Sequence, residues 1–371
     1  MKIGFDAKRL FHNTTGLGNY SRDLIRILSH YLPGNAYFLF NPKKSKKELF
    51  TLNQPSIFEI RPSTFFWKKL KSVWRSIGIS KEIKKNNLQI YHGLSGEIPF
   101  FIPKNTKKIV TIHDLIFMRY PKLYSFWDRK IHFLKFKYAA QKSDRIVAIS
   151  EQTKKDIIHY LNMDPAKIEV IYQGCAAVYK EHFSEATLEE VQKKYNLPSK
   201  FILNVGTIEP RKNALNIVKS IHGTEIPLVL IGRKTAYYNE IEKYMSDNEM
   251  NQVLHLSNVS QQDLACIYQL ATLFVYPSIF EGFGIPIIEA LYSKTPVITN
   301  KFGVFPEAGG DHSVYIDPNS ISEMQAAILD LWQNEDKRKM ISEKGLVFVQ
   351  KFNDANLAKN WETLYLNTCK Q

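Results

Sequence analysis

The stretch FVYPSIFEGFGIPIIEALYSKTPVITN, residues Phe274 to Asn300, decides the fold. It opens inside TLFVYPS, an apolar run of strand length, and closes on PVITN, a second one. Between them IPIIEALYS reads as a short helix begun by Pro286, where the missing N–H costs nothing. Strand, helix and strand in this order form the repeating unit of a wound parallel sheet. In such sheets ligands bind at the loops that leave the carboxyl ends of the strands.

Working outward, the same alternation fills the chain. The first half offers the strands KIGFD, AYFLF, LQIYHG, KIVTIHD and DRIVAIS, with helices such as NYSRDLIRILSHYL and ISEQTKKDIIHYL among them. A second series follows: KFILNVG, PLVLIG, QVLHLSN, TLFVYPS and PVITN. The segment VIYQGCAAVYKEHF has lost the alternation and marks a boundary. The expected fold is α/β, with two Rossmann-like domains whose parallel sheets face across a cleft. The domains are assigned to residues 1–178 and 179–352. In the tail, residues 353–371, Leu357, Trp361, Leu364 and Tyr365 share one helical side, a pattern that suits packing on either domain.

A chain of 371 residues is long enough for two such cores, and 44% hydrophobic with 23% charged residues is a globular composition. Cys175, Cys266 and Cys369 are far apart and form no CxxC pair, which argues against a zinc cage or disulfide framework and suits a reducing compartment. The N-terminal MKIGFDAKRLF lacks the apolar core of a signal peptide, and no run reaches the roughly 20 apolar residues of a membrane span. The expected location is therefore cytoplasmic, and the glycosylation-like triplets at Asn13 and Asn258 are read as chance.

The charge is lopsided. Residues 1–178 hold 31 Lys and Arg against 13 Asp and Glu, whereas the remainder holds 19 against 23. The first half should prefer anionic surfaces such as phospholipid or a pyrophosphate-bearing carrier, with a lysine-rich solvated surface as the plain alternative. The run KKSKK at 43–47 reads as a solvated loop. In FFWKKLKSVWRSI, Phe66, Trp67, Leu70, Val73, Trp74 and Ile77 share one helical face, and Lys68, Lys69, Lys71 and Arg75 the other. That pattern is read first as a helix packed on the sheet, and second as one lying in a membrane interface. No aromatic RNA-binding motif or zinc module supports nucleic acid as a partner.

Chemistry concentrates at strand ends. The loop IFEGFG brings the backbone N–H groups of Phe283, Gly284 and Ile285 to a helix N-terminus, a place suited to a pyrophosphate. Gly282 and Gly284 allow a sharp turn, and Glu281 and Glu289 offer carboxylates able to accept paired sugar or ribose hydroxyls. In FILNVGTIEPRKN a strand ends at Gly206, and Arg211 and Lys212 follow as a fork and a point charge fit for a diphosphate. His113 ends the strand TIHD, where it is able to position a group. Gly16 and Gly18 form a GxG turn between a strand and a helix, without the third glycine of a nicotinamide dinucleotide site.

Taken together, PSIFEGFGIPIIEAL, VGTIEPRKN, TIHDLIF and the N-terminal glycine loop resemble the retaining glycosyltransferases of family 4, of GT-B fold. Within the family the likeness is to bacterial mannosyltransferases of O-antigen and other surface polysaccharides, and it runs from residue 1 to about 365. The resemblance implies that Glu281 contacts the donor sugar, that Phe283, Gly284 and Ile285 offer N–H groups, and that Glu289 holds the ribose. It implies that Arg211 and Lys212 neutralise the leaving diphosphate, and that Gly16 and Gly18 approach the phosphate from the other domain. It has His113 touch the transferred sugar, with Gly232, Arg233 and Val259 bordering the nucleotide. It also implies that the tail crosses back to the N-terminal domain and that the 65–77 segment is an ordinary helix. Ser293-Lys294 and NKFGVFPE depart from the family pattern near the donor.

The expected reaction is retaining transfer of a hexose, foremost mannose from GDP-mannose, to a saccharide or polyprenyl-linked acceptor. A UDP-sugar donor, a nucleotide-sugar epimerase and a non-catalytic nucleotide- or glycan-binding relative remain as alternatives. No cofactor or metal is expected, because the sequence has no Asp-x-Asp and Arg211 with Lys212 supplies the countercharge. Contact with the inner face of a membrane is expected from charge alone.

Overall fold

The computed structural model describes residues 1–45, 48–51 and 54–370. Lys46 and Lys47 of the KKSKK run lie outside the described residues. The chain forms two compact units, Met1–Gly174 with Phe352–Gln371, and Cys175–Lys351.

The first unit is a seven-stranded sheet of β1 (Lys2–Asp6), β2 (Ala36–Phe40), β3 (Ile57–Ile60), β4 (Ile90–Gly93), β5 (Lys107–Ile112), β6 (Arg145–Ala148) and β7 (Ile168–Val170). Their order is β3-β2-β1-β4-β5-β6-β7, with every pairing parallel. The second unit contains β8 (Ile202–Val205), β9 (Leu228–Ile231), β10 (Val253–Leu256), β11 (Leu273–Tyr276), β12 (Val297–Asn300) and β13 (Val314–Ile316). They lie in the order β10-β9-β8-β11-β12-β13, again all parallel. Central strands read as unbroken apolar runs because helices cover both faces of each sheet. β3, β7 and β13, which sequence patterning misses, are all edge strands of three or four residues with partly exposed side chains.

The last helix, Asp354–Lys370, belongs to the first unit. Trp361, Leu364 and Tyr365 enter the same core as Ile3, Phe5 and Ile90, and Leu357 with Ala358 packs on Ile27. Arg26 anchors the start of this helix through Asp354 at 2.7 Å. The first unit ends at Gly174, a few residues ahead of the boundary placed at 178. Tyr179 meets Tyr268 edge-on at 5.7 Å and Cys175 is buried, so this segment is packed into the second unit.

Two local expectations are corrected. FFWKKLKSVWRSI is not one helix packed on the sheet: helix Phe65–Lys69 breaks at Leu70, and a short turn leads into a π-helix, Trp74–Gly78. Trp74 takes the core position together with Ile79 and Ile83, which leaves Phe66, Leu70, Val73 and Ile77 in solvent. Gly16 and Gly18 do not form a turn after a strand. A helix, Lys8–His12, intervenes, and both glycines lie in the first turn of the helix Gly16–Tyr31.

Each sheet reverses strand order once, between β1 and β4 in the first unit and between β8 and β11 in the second. Loops leaving the carboxyl ends of strands that flank such a reversal diverge to opposite faces, which opens a crevice for a ligand.

Candidate functional site

In the second unit the crevice is flanked by β8 and β11, and the candidate residues sit there. After β8, Gly206 leads to the 3-10 turn Pro210–Lys212, and Asn213 in the left-handed region starts the helix Ala214–Ser220. After β11, Tyr276 leads through Ser278 to Glu281. The loops are joined by backbone: Ile279 N–H donates to Arg211 O at 2.9 Å, and Ser278 Oγ lies 3.2 Å from the same oxygen. Asn300 Nδ2, from the end of β12, donates to Ser278 O at 3.0 Å.

Glu281 is the centre of this arrangement. Its Oε1 pairs with Arg211 Nη1 at 2.9 Å and with Lys212 Nζ, and accepts from Tyr276 OH at 2.9 Å and Ser278 Oγ at 2.7 Å. All four contacts fall on Oε1, and among the described residues nothing bonds to Oε2. Burial acts to raise the Glu281 pKa, but Lys212, Arg211 and the Ser278 hydroxyl overcome it and lower it to about 2. Arg211 is held charged in turn: burial opposes its charge, and Glu281 and Glu209 more than restore it. Arg211 Nη2 donates to Glu209 Oε1 at 2.7 Å, and Lys212 Nζ donates to Tyr276 OH at 2.6 Å. The carboxylate is therefore a stabilised anion with one oxygen spent, better fitted to accept a hydroxyl than to attack as a nucleophile.

Gly284 caps the helix Ile285–Tyr292 with φ +114°, a conformation that favours glycine, and its carbonyl accepts Ile287 N–H at 2.9 Å. Phe283 is buried beneath this turn. Glu289, one turn further along, accepts from Tyr268 OH at 3.0 Å. Gly232 is forced by close approach, since a Cβ there would lie 1.8 Å from the Gly206 carbonyl oxygen, whereas Gly206 is set by its φ of +146°, a conformation that favours glycine. Arg233 follows with an exposed side chain, while its carbonyl accepts Ile208 N–H at 3.0 Å. Val259 is half-buried just before Ser260, the residue that caps the helix Gln261–Leu270.

In the first unit His113 lies at the end of β5, buried. Its Nε2 donates to Leu94 O at 2.9 Å, since a carbonyl only accepts, which leaves Nδ1 to accept from Gln173 Nε2 at 3.3 Å. Tyr20 meets the ring edge-on at 4.5 Å. Burial depresses the His113 pKa, with Arg9 adding to it against the Leu94 hydrogen bond, and the result is about 4. The imidazole is neutral near pH 7 with both nitrogens engaged. At the strand reversal, Arg9 Nε donates to Ser95 Oγ at 3.0 Å. Asp6 pairs with Arg75, whose Nη1 reaches Glu97 at 2.6 Å. Gly18 is required by fit, because a Cβ there would lie 1.9 Å from Asn13 O, whereas Gly16 faces open space.

Comparison with known proteins gives this geometry its family. Residues 15–176 match the model for Glycosyltransferase Family 4, and residues 185–347 that for Glycosyl transferases group 1. The chain belongs to glycosyltransferase family 4. This glycosyltransferase is 26% identical to O-antigen chain mannosyltransferase B of Escherichia coli over 96% of its own length and 97% of that protein. It is 31% identical to O-antigen chain mannosyltransferase RfbU of Salmonella typhimurium over 63% of its length and 64% of that chain. Its fold matches a crystal structure of a glycosyltransferase from Rickettsia africae with a TM-score of 0.78 at 18% identity, covering 100% and 99% of the two chains.

In the second unit of this glycosyltransferase the structure brings together four of the residues that the sequence singled out, and in the first unit Gly16, Gly18 and His113 make no contact with one another among the described interactions. Arg211, Lys212 and Glu281 are in direct contact, Gly206 lies 3.6 Å from the Lys212 stem by its virtual Cβ, and Glu289 stands apart on Tyr268. Sequence reasoning missed Tyr276, Ser278, Asn300, Tyr268 and Gln173. Tyr276 and Ser278 lie inside the opening stretch and share the register of Phe274, so the alternation along YPS was the available signal. Gln173 and Asn300 carry no local pattern. Among the described residues no cluster of three or more His, Cys, Asp or Glu is arranged to hold a metal. Among the same residues no helix is long and apolar enough to cross a membrane.

Proposed function

We propose that this enzyme transfers mannose from GDP-mannose, with retention at the anomeric carbon, to a saccharide or lipid-linked saccharide acceptor in the assembly of an O-antigen-type surface polysaccharide. The observation that carries the proposal is likeness over nearly the whole chain to a protein named as an O-antigen chain mannosyltransferase. The site supports the same reading. Glu281 Oε2 accepts a hydroxyl of the donor sugar, while Arg211 and Lys212, already in place, take up the charge of the leaving diphosphate. The N–H groups of Phe283, Gly284 and Ile285 face the phosphates at the start of the helix, and Glu289 accepts from the ribose. Gly206, Gly232, Arg233 and Val259 border the nucleotide. His113 reaches the sugar by exchanging its long Gln173 contact for a hydroxyl.

In this reading the anomeric C–O bond to the diphosphate breaks as the acceptor oxygen bonds to the same face, and the departing phosphate oxygen receives the acceptor proton. Glu281 is not the nucleophile, because two cations hold its electron density. The cationic pair also makes a bridging metal unnecessary. A lipid-linked acceptor places the enzyme at the cytoplasmic face of a membrane, which suits the cationic first unit.

The test is a thermal-shift panel of GDP, UDP, ADP and TDP in chelator, followed by transfer assays in which NMR reads the anomeric configuration. A ligand at a hundredfold excess over its Kd stabilises the folded state by roughly 2.7 kcal/mol. A shift with GDP alone, lost in Arg211→Ala, and an axial mannoside product support the proposal. A shift with UDP alone overturns the donor, an inverted product overturns the stereochemistry, and no shift with any nucleotide overturns the enzyme reading.

A further inference from the structure

The segment that departs from its expected packing opens onto a surface the transfer chemistry does not use. Phe65 is 74% exposed and Phe66 59%, and Leu70, Val73 and Ile77 are each exposed by about two-fifths. Phe100 and Phe101 continue the surface at 52% and 65%. On the helix Phe126–Lys142, Phe126, Trp127, Ile131 and Leu134 are exposed by half or more.

These three segments are adjoining. Phe100 N–H donates to Ser76 O at 2.9 Å, Tyr138 OH donates to Phe100 O at 3.1 Å, and the Phe100 and Tyr138 rings lie 5.0 Å apart. Glu97 is shared between Arg75 at 2.6 Å and Lys135 at 3.4 Å. A soluble surface rarely leaves so many large apolar side chains together without a partner.

The surrounding charge selects the partner. Residues 61–81 contain Arg61, Lys68, Lys69, Lys71, Arg75 and Lys81 and no acid. Lys69 lies 4.6 Å over the Phe65 ring and Lys130 5.8 Å over that of Trp127, so cations and aromatics alternate across the surface. Of the acids here, Glu97 is neutralised by its two cations and Asp128 caps its own helix with Ser125. A second copy of this chain would set lysines against lysines, which opposes self-association.

We infer that the exposed aromatic surface formed by residues 65–77, 100–101 and the start of the helix Phe126–Lys142 docks on an anionic phospholipid bilayer. Phe65, Phe66, Phe101 and Trp127 enter the headgroup region, and the lysines meet lipid phosphates while their stems stay along the apolar side chains. The surface is fixed to the first unit's crevice, because Arg75 on the same segment bonds Asp6 at the end of β1. The inference deepens the membrane side of the proposed function, and it is read without donor or acceptor, so the two fail separately.

The test is co-sedimentation of the full chain with vesicles of phosphatidylcholine, alone or mixed with phosphatidylglycerol, together with a blue shift of tryptophan emission. Binding to the mixed vesicles and not to pure phosphatidylcholine is expected, and it should weaken by about tenfold or more in high salt. Replacing Phe65, Phe66 and Trp127 by Ser should lower vesicle affinity by roughly tenfold or more while leaving the thermal midpoint unchanged. Lys68→Glu with Lys69→Glu and Lys71→Glu should abolish the preference for anionic lipid. Absence of binding, equal binding to both vesicle types, or a concentration-dependent dimer lost in the Ser variant would each overturn the inference.

Discussion

Glu281 Oε1 lies 2.9 Å from Arg211 Nη1, so a nearly buried ion pair ties the carboxyl end of β11 to that of β8. Structure and proposed chemistry make different demands on this carboxylate, and two substitutions separate them. Glu281→Gln keeps the shape and loses the charge that strengthens a sugar hydrogen bond, so kcat/KM with GDP-mannose should fall by roughly 10- to 100-fold. Glu281→Ala leaves Lys212 without its carboxylate and should also cost roughly 3 kcal/mol of stability. Steady-state rates and urea denaturation read the two effects. Full activity in Glu281→Gln would remove Glu281 from the donor site.

Gly16 and Gly18 are expected to behave oppositely. A Cβ at Gly18 collides with Asn13 O at 1.9 Å, so Gly18→Ala should disturb the start of its helix and lower the thermal midpoint. At Gly16 a Cβ meets no atom, and alanine in a first helical turn is tolerated. Gly16→Ala should therefore leave stability intact and, if the donor phosphate approaches this glycine as proposed from the resemblance, raise KM for the donor. An unchanged KM would show that no ligand approaches Gly16.

What the sequence discloses and what it hides follow from how each residue is held. Nine of the ten legible strands carry mostly buried side chains, and the tenth, the edge strand β10, shows through the apolar run VLHL, whereas β3, β7 and β13 at sheet edges blend with loops. Arg211, Lys212 and Glu281 are legible because charged groups beside glycine and proline at strand ends have few structural uses. Asn300 and Gln173 are not, since each reaches its loop or ring through contacts made far along the chain, Asn300 at Ser278 and Ile279, 22 and 21 residues away, and Gln173 at His113, 60 residues away. The segment 65–77 shows the opposite failure. Its apolar periodicity is real, but Trp74, Ile79 and Ile83 already fill the sheet face, and periodicity alone does not say which side chains find room.

Stability should fall early in acid. His113 and His92 are buried neutral, with pKa values lowered by burial from 6.5 to about 4 and about 3. The unfolded chain takes up these protons first, so their contribution is complete above pH 6.5 and is lost as pH falls through 4 and 3. Glu281, lowered from 4.5 to about 2, adds a later loss across that interval, worth roughly 3 kcal/mol. Urea midpoints measured between pH 6.5 and 4.5 isolate the histidines, and His113→Gln should flatten part of that slope. A midpoint constant across this window would contradict the neutral burial of both rings.

The final helix is a structural member of the first unit, and a chain of three hydrogen bonds and one ring contact connects it to His113. Tyr365 OH meets His92 Nδ1 at 3.0 Å, His92 Nε2 meets Thr111 Oγ1 at 2.8 Å, and Thr111 Oγ1 meets Tyr20 OH at 3.3 Å. The Tyr20 ring then packs edge-on against His113. Tyr365→Phe removes one hydroxyl from a fully buried chain and should cost about 1–2 kcal/mol. Trp361→Ala opens a cavity beside Phe5 and His92 and should cost about 3–5 kcal/mol. Calorimetry on both variants measures these losses. If deleting residues 354–370 left the first unit's melting transition in place, the helix would be an ornament on a complete core; the buried Trp361, Leu364 and Tyr365 require that this transition be lost.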